Sequence, residues 1–166
     1  SYDRSSSFTT ADDNDSDVYS RFIKYNFNIT KSSQIGSKFI LNRTEAKKEF
    51  DSYDSTGINL TYSHILPFGT LKINSTFLKN AYDEPETFLS VLKIRDDESF
   101  VNSISLEGQV NQLLPFIKSS KISNGLFYTF KLRHSDVSSN IENHDVERKF
   151  FTIGLTKRFN LNELFN

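Results

Sequence analysis

The chain has 166 residues and a net charge of −1, it contains no Cys, Met or Trp, and only 36% of its residues are apolar. This composition argues against an ordinary globular core, whereas 16 Phe and 7 Tyr are too many for a disordered chain. The small net charge does not point to a nucleic-acid partner, and no segment approaches the roughly 20 apolar residues of a membrane helix. A β-barrel fits better, because it needs only one apolar residue in two along each strand.

Apolar residues recur with a period of two, and this pattern predicts seven strands. In chain order the predicted strands lie near residues 17–30, 34–47, 58–63, 71–77, 100–113, 126–133 and 151–159. One face of each strand carries Phe, Tyr, Ile, Leu or Val, and the other is rich in Asn, Thr, Ser, Lys or Arg. In the last strand, for example, Phe151, Ile153 and Leu155 share one face, while Thr152 and Thr156 share the other.

Four of these strands carry an Asn followed two residues later by Thr. The pairs are Asn28 with Thr30, Asn42 with Thr44, Asn59 with Thr61, and Asn74 with Thr76. A spacing of two puts both side chains on the same face of a strand, here the polar face. The N-x-[ST] pattern is also an acceptor for N-glycosylation in surface loops. Because these positions are predicted to lie within strands on an inward face, we interpret them instead as a repeated polar lining.

The predicted connections alternate in length. Residues 31–33 and 66–69 are short turns, whereas the longer polar connections are residues 1–16, 48–55, 83–97 and 135–145. Bacterial barrels have short periplasmic turns and longer outer loops, so the last strand should descend to the periplasm at Phe159. Residues 114–124 are the exception, a longer segment where a periplasmic turn is expected. We divide the chain into an outer loop or truncated strand (1–16), barrel strands (17–159) and a C-terminal extension (160–166).

The predicted fold is all-β: an antiparallel up-and-down transmembrane β-barrel with seven or eight visible strands. Seven strands that end in the periplasm must begin outside, so we expect the C-terminal part of a larger barrel, unless residues 1–10 supply an eighth strand. A soluble barrel would turn the apolar face inward, and alternation alone does not distinguish the two arrangements. The membrane is favoured because the apolar face is aromatic and aliphatic in each strand while the other is rich in amides.

Over residues 55–159, several short motifs resemble the C-terminal barrel of surface lipoprotein assembly modifiers and related outer-membrane barrels that follow a tetratricopeptide domain. The motifs are Leu66-Pro67-Phe68-Gly69, a strand ending in Tyr82, Arg95-Asp96-Asp97, Arg133, Ser139-Asn140-Ile141, Arg148, Gly154-Leu155 and Arg158-Phe159. The resemblance implies a barrel in the outer membrane of a Gram-negative bacterium that acts in export or display of a surface protein. The sequence departs from the family in lacking the helical repeats and in extending beyond Phe159.

The predicted inward face carries an excess of positive charge. Its predicted lining residues are Lys24, Lys38, Asn59, Lys72, Asn74, Glu107, Lys131, Arg133 and Arg158. Such a lumen could favour anions or steer an acidic segment, or its cations could form ladders with Glu107 and the amides. The outer loops are expected to be acidic, through Asp12, Asp13, Asp15, Asp83, Glu84, Glu86, Asp96, Asp97 and Glu98. These carboxylates could bind divalent cations that bridge lipopolysaccharide, or they could simply be solvated.

No catalytic or cofactor site is predicted. His134, Ser135 and Asp136 are adjacent in a strand and alternate between its faces, so they cannot form a Ser-His-Asp relay by themselves. The sequence has no Gly-rich phosphate loop and no paired Cys or His at metal-ligand spacing. Three hypotheses follow: an outer-membrane barrel for export, display or transport through a polar lumen; a soluble barrel that holds a small ligand; and a structural barrel with adhesive loops. The expected partners of the first are outer-membrane lipid and an exported surface protein or lipoprotein.

Overall fold

The computed structural model describes residues 2–7, 16–85, 93–114 and 125–158. These residues form one antiparallel sheet in which eight strands follow each other in chain order. The strands are β1 (Tyr2–Ser7), β2 (Ser16–Asn28), β3 (Ser33–Ala46), β4 (Tyr53–Leu66), β5 (Gly69–Pro85), β6 (Ile94–Gln109), β7 (Leu126–Ser139) and β8 (Val146–Lys157). The helical turns are Glu49–Asp51, α1 (Val110–Leu113) and Glu142–His144. The predicted all-β, up-and-down antiparallel fold is confirmed, but the sheet is open, because β1 and β8 are not paired with each other within the described residues.

Seven of the strands correspond to the seven predicted ones, and Tyr2–Ser7 forms the eighth strand that the sequence left as an alternative. The prediction that the fifth of those strands continues to residue 113 is wrong, since β6 ends at Gln109 and α1 follows. The Gln109 and Gln112 side chains form a reciprocal capping box around this turn, and Val110 is buried. A capping pair of this kind favours a helical turn, although the apolar residues still recur at a strand-like spacing.

Several strands are longer than predicted. β5 runs to Pro85, β6 begins at Ile94, and β7 continues to Ser139, so the segments predicted as loops 83–97 and 135–145 lie partly in strands. The ends of these strands are charged and polar, and they lack the alternation on which the prediction depended. Their ladders continue because backbone hydrogen bonds do not require apolar side chains. Pro85, which lacks a backbone N–H, follows a register irregularity that begins at Ala81.

Seven apolar side chains form one continuous row across the sheet, which we call the apolar row. Successive cross-strand partners from β2 to β8 are Phe27, Ile35, Tyr62, Ile73, Ile104, Leu132 and Phe151. Cross-strand partners lie on the same face of a sheet, so this row defines an apolar face. A slip of one residue in any strand would move its apolar residues to the other side, so the hydrophobic pattern specifies the register.

The apolar face is exposed, and the sheet has almost no hydrophobic core. In the described part of the chain only Val110, Tyr128 and Ile141 are buried apolar residues. On the apolar face Ile23 is 76% exposed and Leu155 is 69% exposed. The opposite, polar face instead buries Thr44, Ser55, Asp97 and Ser105. The sheet therefore has the reverse of the burial pattern expected for a water-soluble β-protein.

One tightly packed contact joins β5, β6 and β7. The ring of Tyr128 is buried, and its hydroxyl donates a hydrogen bond to the Phe68 carbonyl in the turn before β5. A Cβ added at Gly69 would lie 2.6 Å from this hydroxyl oxygen, and one added at Gly108 would lie 2.8 Å from it. Both glycines are therefore required for the close approach of Tyr128.

We expect Gly108→Ala to destabilise the folded protein by about 1–3 kcal/mol, because the added methyl group overpacks the Tyr128 contact. Tyr128→Phe should cost about 1 kcal/mol through loss of the buried hydrogen bond. Urea unfolding followed by circular dichroism measures both. Gly154→Ala is the matched control, since a Cβ at Gly154 would meet only the Thr129 Cβ at 3.7 Å. Equal effects of the two Gly→Ala changes would contradict the role of the packing contact.

Candidate functional site

The predicted lining residues lie together on the polar face of the sheet. They are distributed over every strand from β2 to β7, and Arg158 follows β8 directly: Lys24, Lys38, Asn59, Lys72, Asn74, Glu107, Lys131, Arg133 and Arg158. The register thus brings residues that are far apart in sequence onto one surface, opposite the apolar row. This surface is the candidate functional site.

The centre of the polar face is a hydrogen-bonded network of amides and hydroxyls. The Asn59 Nδ2 donates to Asn74 Oδ1 at 2.8 Å and to Thr76 Oγ1 at 2.7 Å, and Thr61 Oγ1 donates to Asn74 Oδ1 at 2.9 Å. Two Asn-x-Thr repeats run antiparallel here, so that each Asn lies opposite a Thr of the neighbouring strand. The repeat seen in the sequence therefore supplies a donor for each acceptor across β4 and β5.

The first Asn-x-Thr repeat behaves differently, and its predicted place in the lining is wrong for Thr30. β2 ends at Asn28, whose Oδ1 accepts a hydrogen bond from Gln34 Nε2 at 3.0 Å. Thr30 lies in the following turn, where its Oγ1 accepts from the Ser32 N–H at 3.2 Å. A hydroxyl that satisfies a nearby backbone N–H stabilises a turn in competition with the strand ladder.

The positive charge of the polar face is only partly compensated. Lys72 Nζ lies 3.2 Å from Glu107 Oε2, which matches the predicted alternative of a ladder between cations and Glu107. The Arg158 guanidinium lies 4.3 Å from the centroid of the Phe127 ring. Lys131, Arg133 and Arg148 form no ion pair with any carboxylate of the described residues; Arg148 was not predicted as a lining residue, although it lies on the same face. A net positive field remains over this face.

The motif segments Arg95-Asp96-Asp97 and Ser139-Asn140-Ile141 meet at one end of β6 and β7. Asn140 Oδ1 accepts from the Asp96 N–H at 3.0 Å, and its Nδ2 donates to the Ile94 carbonyl at 2.8 Å. Ser139 Oγ accepts from the Ile141 N–H at 3.1 Å, and Ile141 is buried. These contacts hold the two strands together where they enter the loops. Of the other motif residues, Arg148 lies on β8 and Phe159 lies outside the described residues.

Several acidic residues predicted for the outer loops lie in strands instead. Asp83 and Glu84 belong to β5, and Asp96, Asp97 and Glu98 belong to β6, while Asp12, Asp13, Asp15 and Glu86 lie outside the described residues. Asp97 is only 2% exposed and pairs with Arg95, whose Nε lies 2.9 Å from Asp97 Oδ1. Among the residues that the structure describes, no group of three or more His, Cys, Asp or Glu could hold a metal ion.

Asp83 is also paired rather than solvated, in the part of β5 that extends beyond the apolar residues. Arg43 donates to both carboxylate oxygens, at 2.8 Å and 2.5 Å. This hydrogen bond and the charge of the guanidinium lower the pKa of the Asp83 carboxyl. The pair links β3 to β5 across the end of β4, close to the loops.

The His134, Ser135 and Asp136 triplet does not assemble a relay. His134 and Asp136 lie on the apolar side of the sheet and Ser135 on the polar side, which confirms the predicted alternation. His134 Nε2 instead contacts Glu147 Oε1 at 3.0 Å.

In the described segments, no helix has the length and apolar character needed to cross a membrane.

Comparisons with protein-family models, with curated proteins and with solved structures give no match. The two faces of the sheet therefore provide the information about function.

We expect Asn74→Ala to lower the free energy of unfolding by about 1–3 kcal/mol, because it removes the acceptor shared by Asn59 and Thr61 within a partly buried network. Asn102→Ala is the matched control, since Asn102 lies on the other face in β6 and its replacement should change stability by less than about 0.5 kcal/mol. Urea unfolding of the two variants measures the difference. If both cost the same, the network does not stabilise the sheet.

Proposed function

We propose that this chain forms strands of a β-barrel in the outer membrane of a Gram-negative bacterium, with the polar face lining a water-filled passage. The observation that carries this proposal is the exposed apolar row, which crosses β2–β8 without interruption. Water is a poor solvent for such a surface, and exposed apolar surface of this extent is unusual on soluble monomers. The hydrocarbon layer of a bilayer is a suitable solvent for it, because lipid chains are as apolar as the side chains.

The lengths of the strands support the same proposal. β2–β8 each have 12–17 residues, whereas a tilted strand needs roughly 9–11 to cross the hydrocarbon layer. The excess residues are the charged ends that extend beyond the apolar face, such as those that contain Asp83 and Arg95.

The apolar band also crosses the sheet obliquely. The cross-strand row that begins with Ile23 remains apolar through Phe100 in β6, but it continues as Asp136 in β7 and Glu147 in β8. At the opposite end of the strands, the apolar Leu155 of β8 lies past the position at which β2 ends. The band therefore moves steadily along the strands from β2 to β8. This drift is expected for strands that are tilted relative to a flat membrane layer.

The edges of the sheet need partners in a membrane. Each of β2–β7 is hydrogen-bonded on both sides, whereas β1 and β8 each have one strand neighbour in the described part of the chain. An unpaired backbone edge is costly in hydrocarbon, so closure of the sheet, by pairing of β1 and β8 or by further strands, is part of the proposal.

The proposed role is passage or docking of a substrate along the polar, cationic face, without chemistry performed by the sheet itself. The resemblance to surface lipoprotein assembly modifiers supports export or display of a surface protein or lipoprotein as the specific task. The interlocked motifs at the ends of β6 and β7 would then hold the rim of the passage. A structural barrel with adhesive loops would share the same membrane arrangement and would differ in lacking transport.

Fractionation tests the membrane proposal directly. We expect the full chain to require detergent for solubility, to partition into the detergent phase and to migrate differently in gels before and after heating, as a closed barrel does. A protein that stays monomeric in buffer without detergent would overturn the proposal and would favour the soluble ligand-binding alternative.

A pair of neighbouring substitutions tests which face contacts lipid. Phe151 and Thr152 are adjacent on β8, both exposed, and on opposite faces. In lipid bilayers Phe151→Arg should destabilise the folded protein by roughly 2–4 kcal/mol, whereas Thr152→Arg should be nearly neutral. Urea unfolding from phospholipid vesicles measures both variants. Equal tolerance of the two arginines would mean that neither face contacts hydrocarbon.

A further inference from the structure

Two lysines face each other on the polar face. Lys24 of β2 and Lys38 of β3 are direct cross-strand partners. Like charges in this position destabilise an antiparallel pair. The Lys38 ammonium lies 4.0 Å from the centroid of the Phe22 ring, and neither lysine forms an ion pair with a carboxylate of the described residues. Within the described part of the chain, the lysine pair therefore has no carboxylate that would compensate its charge.

A recess lies beside the lysine pair. The adjacent cross-strand pair on the same face is Asn26 with Gly36, and the Asn26 side chain extends over Gly36. A Cβ added at Gly36 would lie 2.7 Å from Asn26 Oδ1. The recess has a volume of about 150 Å³, Asn59 and Thr61 of β4 line its other side, and none of the described residues that line it is acidic.

The lining provides donors that the rest of the sheet does not use. Each lysine ammonium carries three N–H donors, and the Asn26 side chain makes no hydrogen bond with another described residue. Asn59 Nδ2, in contrast, is already bonded to Asn74 and Thr76. Two lysines and the unbonded Nδ2 of Asn26, around a small recess whose described lining contains no acidic residue, match the needs of an oxyanion.

We propose that the recess formed by Lys24, Lys38, Asn26 and Gly36 is a binding site for a single small oxyanion, a phosphate or carboxylate group. The bound anion would place a negative charge between the two ammonium groups and so relieve their repulsion. The site goes beyond the membrane proposal, because it depends only on the register of β2 and β3. Within a barrel it would give the cationic passage one localised point of contact for an anionic substrate.

The other cations of the polar face do not share this geometry. Lys131 lies opposite Ser105 and Thr152, and Arg133 lies opposite Ser103 and Phe150. Neither residue faces another cation across the strands, although Gly154 lies beside Lys131 on this face, in the pair Thr129–Gly154. Lys131 and Arg133 therefore provide a control with the same charge on the same face.

The test uses the full chain, folded in zwitterionic detergent and labelled with ¹⁵N-glycine, which gives resonances for only six glycines. Titration with inorganic phosphate at constant ionic strength should shift the Gly36 amide saturably and leave Gly154, on the same face in β8, unchanged. Acetate in place of phosphate reports whether a carboxylate binds equally. Absence of a saturable Gly36 shift with both anions would overturn the site.

Variants of the protein distinguish a specific anion site from general attraction by the positive charge of the polar face. Lys24→Gln combined with Lys38→Gln should weaken phosphate binding by more than about tenfold, since two charged donors are lost. Lys131→Gln combined with Arg133→Gln should change it by less than about twofold at moderate salt. Gly36→Ala, followed by ³¹P line width, should weaken binding without changing the charge, because the added methyl group displaces the Asn26 side chain within the recess. An equal loss in both double variants would show a diffuse field and refute the site, provided that circular dichroism confirms folding.

Two further experiments identify the source of the anion and distinguish failure of the anion site from failure of the membrane proposal. A Gly36 shift in nanodiscs that contain phosphatidylglycerol but no free phosphate would mean that a lipid headgroup reaches the recess, and this would overturn its assignment to the passage. The titration can also be run in buffer if the protein is soluble. A Gly36 shift in a soluble protein would keep the anion site and refute the membrane proposal, whereas a detergent-dependent protein without the shift would do the opposite.

Discussion

The register between neighbouring strands is the constraint on which the rest of the structure depends. Each strand pairs so that the apolar residues of β2–β8 fall into one row, from Phe27 to Phe151. The same register places the amides, hydroxyls and lysines together on the other face. A shift of one residue would exchange the two faces of a strand. Correct pairing of the strands therefore also separates the apolar side chains from the polar ones. The low overall hydropathy of the chain follows from this arrangement, since half of each strand is free to be polar.

The partly buried polar groups of the polar face must satisfy one another's hydrogen bonds. The antiparallel Asn-x-Thr repeats of β4 and β5 do so, because each Asn meets a Thr across the strands. Charged groups follow the same principle: the buried Asp97 is paired with Arg95, and the partly exposed Lys72 with Glu107. Buried polar groups that lack partners would destabilise the sheet far more than an exposed apolar side chain does. The order of the polar face is therefore as important to the fold as the apolar row.

The sequence was sufficient to predict the all-β, up-and-down antiparallel topology, the seven main strands and the face on which each predicted lining residue lies, because all three depend on a period of two. The sequence was insufficient near the ends of strands, where residues keep a strand-like spacing but adopt another structure. Thr30 has the spacing of a strand residue but bonds to the Ser32 N–H in a turn, and Val110 has the spacing of a strand residue but lies in α1, which Gln109 and Gln112 cap. Asp97 was assigned to a loop because acidic residues cluster around it, although its partner Arg95 is only two residues away in the same strand.

The sequence also could not predict contacts between strands. The residue that faces a given position depends on the register of the two strands and not on spacing along one strand. The sequence predicted Lys24 and Lys38 for one face, but only the pairing of β2 with β3 makes them direct neighbours and places Gly36 beside them. Two lysines that face each other without a compensating carboxylate among the described residues are tolerated where water or an anion can reach them, and they would be strongly unfavourable in a dry interior. The polar face must therefore stay accessible to solvent on the side of the sheet opposite the apolar row. The two faces of the sheet therefore favour different surroundings, water for the polar face and an apolar medium for the apolar row.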